Sequence, residues 1–193
     1  VVAGQWRIHD SFDRFSAVDV ANIDGLDTRG YYGAVFDGRY VYFVQEQQPQ
    51  GQHGIALRYD THREFSSAAF EAFDASRIDG LDTRGYYGGT FDGRYVYFTP
   101  RLADGLMHSR SLRFDTTHEF ADAAAWAAFD VGIEQTGQGA AFDGRYVYYC
   151  PGYRPRADDA DSRSGRVIRC DTCAEFRQRD TYEVFDAETI DGL

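Results

Sequence analysis

Side chains with chemistry to offer concentrate in two copies of one polar segment. Asp24, Asp27, Arg29, Tyr31 and Tyr32 sit within nine residues, and Asp79, Asp82, Arg84, Tyr86 and Tyr87 repeat them, because Ile23–Gly33 and Ile78–Gly88 share the sequence IDGLDTRGYYG. Carboxylates and guanidinium groups hydrogen-bond sugar hydroxyls while a tyrosine ring stacks on the apolar face of a sugar. The segment therefore suits a shallow carbohydrate site, repeated for avidity. The same residues also suit a structural connection, with Asp accepting backbone N–H groups, Arg paired to Asp and Tyr packed between repeats. Asp24 with Asp27, and Asp79 with Asp82, could also offer oxygens to Ca²⁺, which takes six or more, but the spacing is not that of an EF-hand loop. His53 and His108 occupy matching positions in successive repeats, with Ser164 near the third. Equivalent histidines around an axis suit a metal or proton-transfer site, or else structural hydrogen bonding. We count all twelve Asp, Arg, Tyr and His residues as candidate ligand-binding residues and expect no cofactor or metal beyond the Ca²⁺ alternative.

No catalytic motif accompanies them. The chain has no Gly-x-Ser-x-Gly, no phosphate-binding loop, no His-Glu-x-x-His and no Cys/His dyad. The most repeated carboxylates, Asp37, Asp92, Asp143, Asp60, Asp115 and Asp171, fall where turns are expected and read as turn residues. Cys150, Cys170 and Cys173 all lie in the last repeat; no second pair completes a zinc site, and Cys170 stands where Tyr59 and Phe114 stand, as a small core substitute. His62 and His118 read as surface residues.

Composition narrows the partners. The 193 residues carry 20 basic and 31 acidic side chains, a formal net charge of −11. Every basic residue is Arg, and Asp outnumbers Glu by 23 to 8. Such acidity opposes nucleic-acid binding, which needs a basic surface. No apolar run approaches the roughly 20 residues of a membrane helix, so no membrane insertion is expected. Compartment is left open.

Repeats dictate the elements that must position these residues. FDGRYVYF at Phe36 to Phe43 returns unchanged at Phe91 to Phe98, and with one change at Phe142 to Tyr149, at spacings of 55 and 51 residues. Arg-x-Asp-Thr followed by Glu-Phe marks Arg58 to Phe65, and the later repeats carry the marker at Arg113 to Phe120; in the last the tetrad is Arg169-Cys170-Asp171-Thr172, with Phe176. A degenerate form opens the chain at Arg7 to Phe15. Each repeat reads as four short strands: A, Tyr31 to Phe36; B, Tyr40 to Val44; C, Ile55 to Tyr59; D, about Phe70 to Phe73. Asp37-Gly38 is the hairpin signal between A and B. Strand B is apolar on both faces, as in a sheet sandwiched between neighbours, and Gly33, Ala34, Gly88 and Gly89 suit a crowded innermost strand. The one helix-like stretch, ADAAAWAA at Ala121 to Ala128, fits a short helical turn. Four strands in about 50 residues predict an all-β chain, a β-propeller of four-stranded antiparallel blades. The octapeptide and its Arg-x-Asp-Thr partner resemble bacterial FDGRYVYF-type repeat proteins, predicted propellers. That resemblance spans essentially the whole chain; it implies fold and repeat phase and brings no activity with it.

We read the chain as one propeller domain or fragment. Its units are about 6–30 (strands C and D alone), 31–84, 85–136 and 137–189, some three and a half blades. Ile190 to Leu193 repeats Ile23 to Leu26, which predicts a segment of a longer chain or an incompletely closed ring. The third unit lacks the Asp-Gly-Leu-Asp-Thr-Arg segment and carries VGIEQTGQG at Val131 to Gly139 instead, so any site built on that segment is not symmetric. The loops between B and C diverge most beneath near-constant strands, the pattern of a scaffold with variable functional loops. Three functions follow as expectations: a non-enzymatic binding propeller with a glycan as the favoured ligand, a structural or protein-interaction repeat domain with a protein partner or self-association through the unfilled blade, and a glycan hydrolase using axial carboxylates.

Overall fold

The computed structural model describes residues 16–155 and 162–190. The chain is all-β, built from three four-stranded antiparallel sheets whose strands follow in chain order. The first holds β1 (Tyr31–Phe36), β2 (Tyr40–Gln45), β3 (Ile55–Asp60) and β4 (Phe70–Asp74). The second holds β5 (Tyr86–Phe91), β6 (Tyr95–Pro100), β7 (Arg110–Asp115) and β8 (Trp126–Asp130). The third holds β9 (Gly137–Phe142), β10 (Tyr146–Pro151), β11 (Arg166–Asp171) and β12 (Tyr182–Asp186). Each sheet is an open meander. Among the described residues no sheet closes on itself, and no helix is long and apolar enough to cross a membrane.

The strands expected from the sequence lie within a residue of those observed. Ala121 to Ala128 is a mixture instead: one 3-10 turn at Ala123–Ala125, then the start of β8. Trp126 decides this, since its ring packs on Phe73, Phe98 and Phe114 and so holds the segment in the sheet. Strands C and D expected over Trp6 to Val20 fall outside the described residues as far as residue 15, and residues 16–20 form no strand. Of the tail, residues 191–193 also lie outside.

The repeated motifs are hydrogen-bonding devices. The Asp37 carboxylate accepts the N–H groups of Arg39 (2.8 Å) and Tyr40 (2.7 Å) and the Tyr42 hydroxyl (2.8 Å). Asp92 and Asp143 do the same for Arg94, Tyr95 and Tyr97, and for Arg145, Tyr146 and Tyr148. The Arg of the octapeptide then crosses to the Asp of Arg-x-Asp-Thr: Arg39 to Asp60, Arg94 to Asp115 and Arg145 to Asp171, each at 2.7 Å. The adjoining Thr hydroxyl donates to that Arg's carbonyl. Three bonds to one carboxylate and an Arg–Asp pair made through two guanidinium N–H groups fix the A–B and C–D turns against each other.

Sheets join face to face through aromatic rings. Between the first and second, Tyr42, Phe73, Phe98, Phe114, Phe120 and Trp126 form the main core. Between the second and third the core is smaller, with Tyr97, Tyr149, Ile168, Cys170, Phe176 and Tyr182 buried. β5 lies between β1 and β9, and these strands approach closely at glycine: a Cβ on Gly33 would sit 3.1 Å from the Gly88 Cα, and one on Gly88 would sit 3.4 Å from the Gly139 Cα.

Candidate functional site

The end of the sheets opposite the octapeptide turns holds the B–C loops and the D–A connections. Small hairpins build it. Asn22–Ile23 pairs with Leu26–Asp27, Arg77–Ile78 with Leu81–Asp82, Gln47–Gln48 with Gly51–Gln52, and Leu102–Ala103 with Leu106–Met107. Asp24, Asp79 and Asp104 turn three of them with φ near +50°, a conformation that Asp tolerates better than most residues. An Asp-Gly pair, preceded by Ile23, Ile78 or Ala103 and followed by Leu, carries the signal for these three hairpins, so what the sequence suggests as a plain connection is folded back on itself.

Within this end, the candidate residues have distinct fates. Asp24 reaches the outer strand of its own sheet, accepting Ala72 N–H (2.9 Å), and Asp79 accepts Ala128 N–H in the same way. These bonds cap edge strands that would otherwise offer free donors. Asp79 also receives Arg177 of the third sheet at 2.8 Å. Asp27 and Arg29 form a bidentate pair at 2.6 Å, and that partner holds the Asp27 carboxyl below its ordinary range. Arg84 bridges Asp82 (2.7 Å) and Asp104 (2.6 Å), which raises its pKa and lowers that of Asp82. Among the described residues, no three His, Cys, Asp or Glu side chains gather where they could hold a metal.

His53 and His108 are buried and occupied at both ring nitrogens. In His53, Nε2 meets the Gly30 carbonyl at 2.9 Å and Nδ1 accepts the Ile55 N–H at 3.3 Å. In His108, Nε2 meets the Arg84 carbonyl at 3.1 Å and Nδ1 accepts the Arg110 N–H at 3.2 Å. Donating from Nε2 and accepting at Nδ1 requires the neutral ring. Burial lowers both pKa values, that of His108 to about 4. In the third repeat Ser164 Oγ accepts the Arg166 N–H at 3.2 Å, so the hydroxyl replaces Nδ1. Gln135 replaces the rest of the lost connection, donating to the Arg166 carbonyl and accepting from Ser164 Oγ.

The Gly30 carbonyl also accepts Glu46 and Gln47 N–H groups, and the Gly85 carbonyl accepts those of Arg101 and Leu102. A side chain at either glycine would run into backbone, with Cβ 1.6 Å from the Gln47 or Leu102 carbonyl oxygen and φ at +83° or +70°. The loops are thus clamped onto the D–A connections.

The tyrosines separate into two classes. Tyr86 is enclosed, with its hydroxyl donating to the Arg110 carbonyl at 2.9 Å. Tyr31 packs against Phe43 and His53, and burial pushes its pKa up. Tyr32 and Tyr87 point the other way and lie together, ring centroids 5.6 Å apart. Arg101 covers Tyr87 at 4.8 Å and pairs at 2.6 Å with Glu46, a residue that is itself 2% exposed. Tyr32 is 48% exposed. Beside it opens a hollow of about 450 Å³ lined by Arg29, Gly30, Tyr32, Gln47, Gln48 and Pro49. A larger hollow, about 650 Å³, lies by the second B–C loop among Asp82, Asp104, Arg110, Asp130 and Glu134, with Met107 and Ile133 as its apolar wall. Gln47 and Gln48 are not among the candidates the sequence suggests; the Gly30 clamp is what brings them beside Tyr32.

Neither family models nor curated protein sequences match the chain.

Proposed function

We propose that the three sheets are successive blades of a β-propeller of the FDGRYVYF kind, and that the chain is a non-enzymatic module binding carbohydrate at Tyr32. The side-by-side inner strands and their glycine contacts support the blade arrangement. The observation that carries the ligand class is the Tyr32 ring, exposed on one face, supported on the other by Tyr87, and fronting a hollow edged by the Gln47 and Gln48 amides and Arg29. A flat ring with amide and guanidinium groups around it matches a sugar, whose one face is C–H and whose rim is hydroxyl. With a net charge of −11, neutral glycans are favoured over sulfated or uronic ones. The axial hydrolase reading loses support, because β1, β5 and β9 carry no carboxylate. The Ca²⁺ alternative loses support as well, since the carboxylates it would use are taken by backbone N–H and Arg groups.

A glycan array probed with the purified chain, followed by titration of the retained sugar, tests this reading. Tyr32→Ala is expected to weaken binding at least tenfold, about 1.4 kcal/mol, without shifting the melting temperature. A folded wild type that retains no glycan overturns it. The second reading, a protein-interaction domain, rests on the outer face of the third sheet, which among the described residues is exposed at Phe185.

A further inference from the structure

One packing device recurs at the junctions between sheets and, among the described residues, is half-made at both ends of the array. At the first junction, the Arg58 guanidinium lies 4.2 Å from the Tyr40 ring of its own sheet and 4.7 Å from Phe120 of the next. The second junction repeats it, with Arg113 at 3.9 Å from Tyr95 and 4.2 Å from Phe176. Tyr and Arg form a socket on one face of a sheet, and a Phe following strand C of the next sheet is the knob that fills it. Both knobs are 1% exposed.

Among the described residues the third sheet has the socket without a knob. Arg169 lies 4.2 Å from Tyr146, as in the other two. Its side chain remains 36% exposed although paired to Glu183, whereas the Arg58 side chain, paired to Glu71 in the same way, is 7% exposed. Beside it a groove of about 350 Å³ runs between Tyr148, Val167, Val184 and Phe185, and Phe185 is 56% exposed. Among the same residues the first sheet has the knob without a socket. Phe65 is the counterpart of Phe120 and Phe176, rests against Tyr59 and Phe70, and is 43% exposed. Cation–π contacts gain strength when water is excluded, so an open socket and a bare knob are the unsatisfied halves of an interface the molecule already makes twice.

We propose that these halves join between two copies of this chain, with Phe65 of one copy entering the Tyr146–Arg169 socket of another. The contact is heterologous, so each copy keeps one free half and association proceeds head to tail. It is narrower than an internal junction, because Val18, Val20 and Ile23 already cover Phe70 and Ala72 on the first sheet. This inference is independent of the carbohydrate reading, since the faces involved lie away from Tyr32.

Sedimentation velocity over a hundredfold concentration range tests it. The wild-type chain is expected to show a rising weight-average mass. Phe65→Ala and Arg169→Ala are each expected to hold the chain at monomer mass. An equimolar mixture of the two variants is expected to recover dimer and stop there, because only one knob and one socket remain between them. Phe65→Asp, at a side chain already in contact with water, serves as a second knob variant if Phe65→Ala unfolds. A wild type that is monomeric throughout overturns the proposal. Association that survives both substitutions, or a mixture that stays monomeric, overturns it equally.

Discussion

The two ends of the sheets are held in different ways. At the octapeptide end all three repeats use the same bonds: one Asp accepting two N–H groups and a Tyr hydroxyl, and one Arg crossing to one Asp. At the other end the backbone clamp survives while its parts change, His53 and His108 giving way to Ser164 and Gln135. Loops on top of that clamp share no common sequence. The contrast teaches that identical residues mark where the chain is braced, and that altered residues around a retained clamp mark where a surface is free to specialise.

Substitutions at the two ends should separate accordingly. The largest effect is expected at the clamp: Gly85→Ala places a Cβ against the Leu102 carbonyl at positive φ, and we expect a loss of about 4 kcal/mol or failure to fold, read by urea unfolding. Next comes Asp92→Ala at the octapeptide end. It strands two N–H groups and the Tyr97 hydroxyl, at a cost of about 2–3 kcal/mol. A loss below about 1 kcal/mol would break the claim that this motif is the brace.

His108 gives a pH signature for the clamp. Its folded pKa, about 4, lies below the unfolded value because burial penalises the charged ring. The stability it contributes is complete above roughly pH 6.5 and is lost as pH falls towards about 4, because the unfolded chain takes up the proton first. Unfolding free energies measured from pH 7 to 4.5 should fall, by about 2–3 kcal/mol on account of His108, and His108→Gln should flatten that slope. Cys170 sharpens the account of the core. Burial pushes its thiol up to about 12, while Cys150 and Cys173 are exposed. A thiol reagent should modify two cysteines of the native chain and the third only in denaturant. The smallest effect on stability is expected at the free surface: Gln47→Ala and Tyr32→Ala should each change it by less than about 0.5 kcal/mol.

Strand positions were legible in the sequence because the signals were local. Asp37-Gly38 with Tyr40 to Phe43 declares a hairpin, and the turn at Asp60 ends strand C. Small residues at Gly33 and Gly88 foretold the close approach of inner strands. The candidate site was less legible because its residue types do not reveal their partners. Tyr31 and Tyr32 are adjacent and chemically identical, yet strand alternation sends one against His53 and the other to solvent. Asp24 and Asp27 look alike as ligands, but one caps an edge 48 residues away and the other is held by Arg29. His53 suits a metal site, proton transfer or a structural hydrogen bond alike, until the Gly30 carbonyl is found at its Nε2.

The central claim is that the braced residues support a sugar-binding surface at Tyr32. Isothermal titration of a glycan selected by array, against the wild type and Tyr32→Ala with melting temperatures measured alongside, tests it most directly. The account predicts saturable binding by the wild type and at least a tenfold loss in the variant at an unchanged melting temperature. Equal affinity in both proteins, or a folded wild type that binds no glycan, would contradict it.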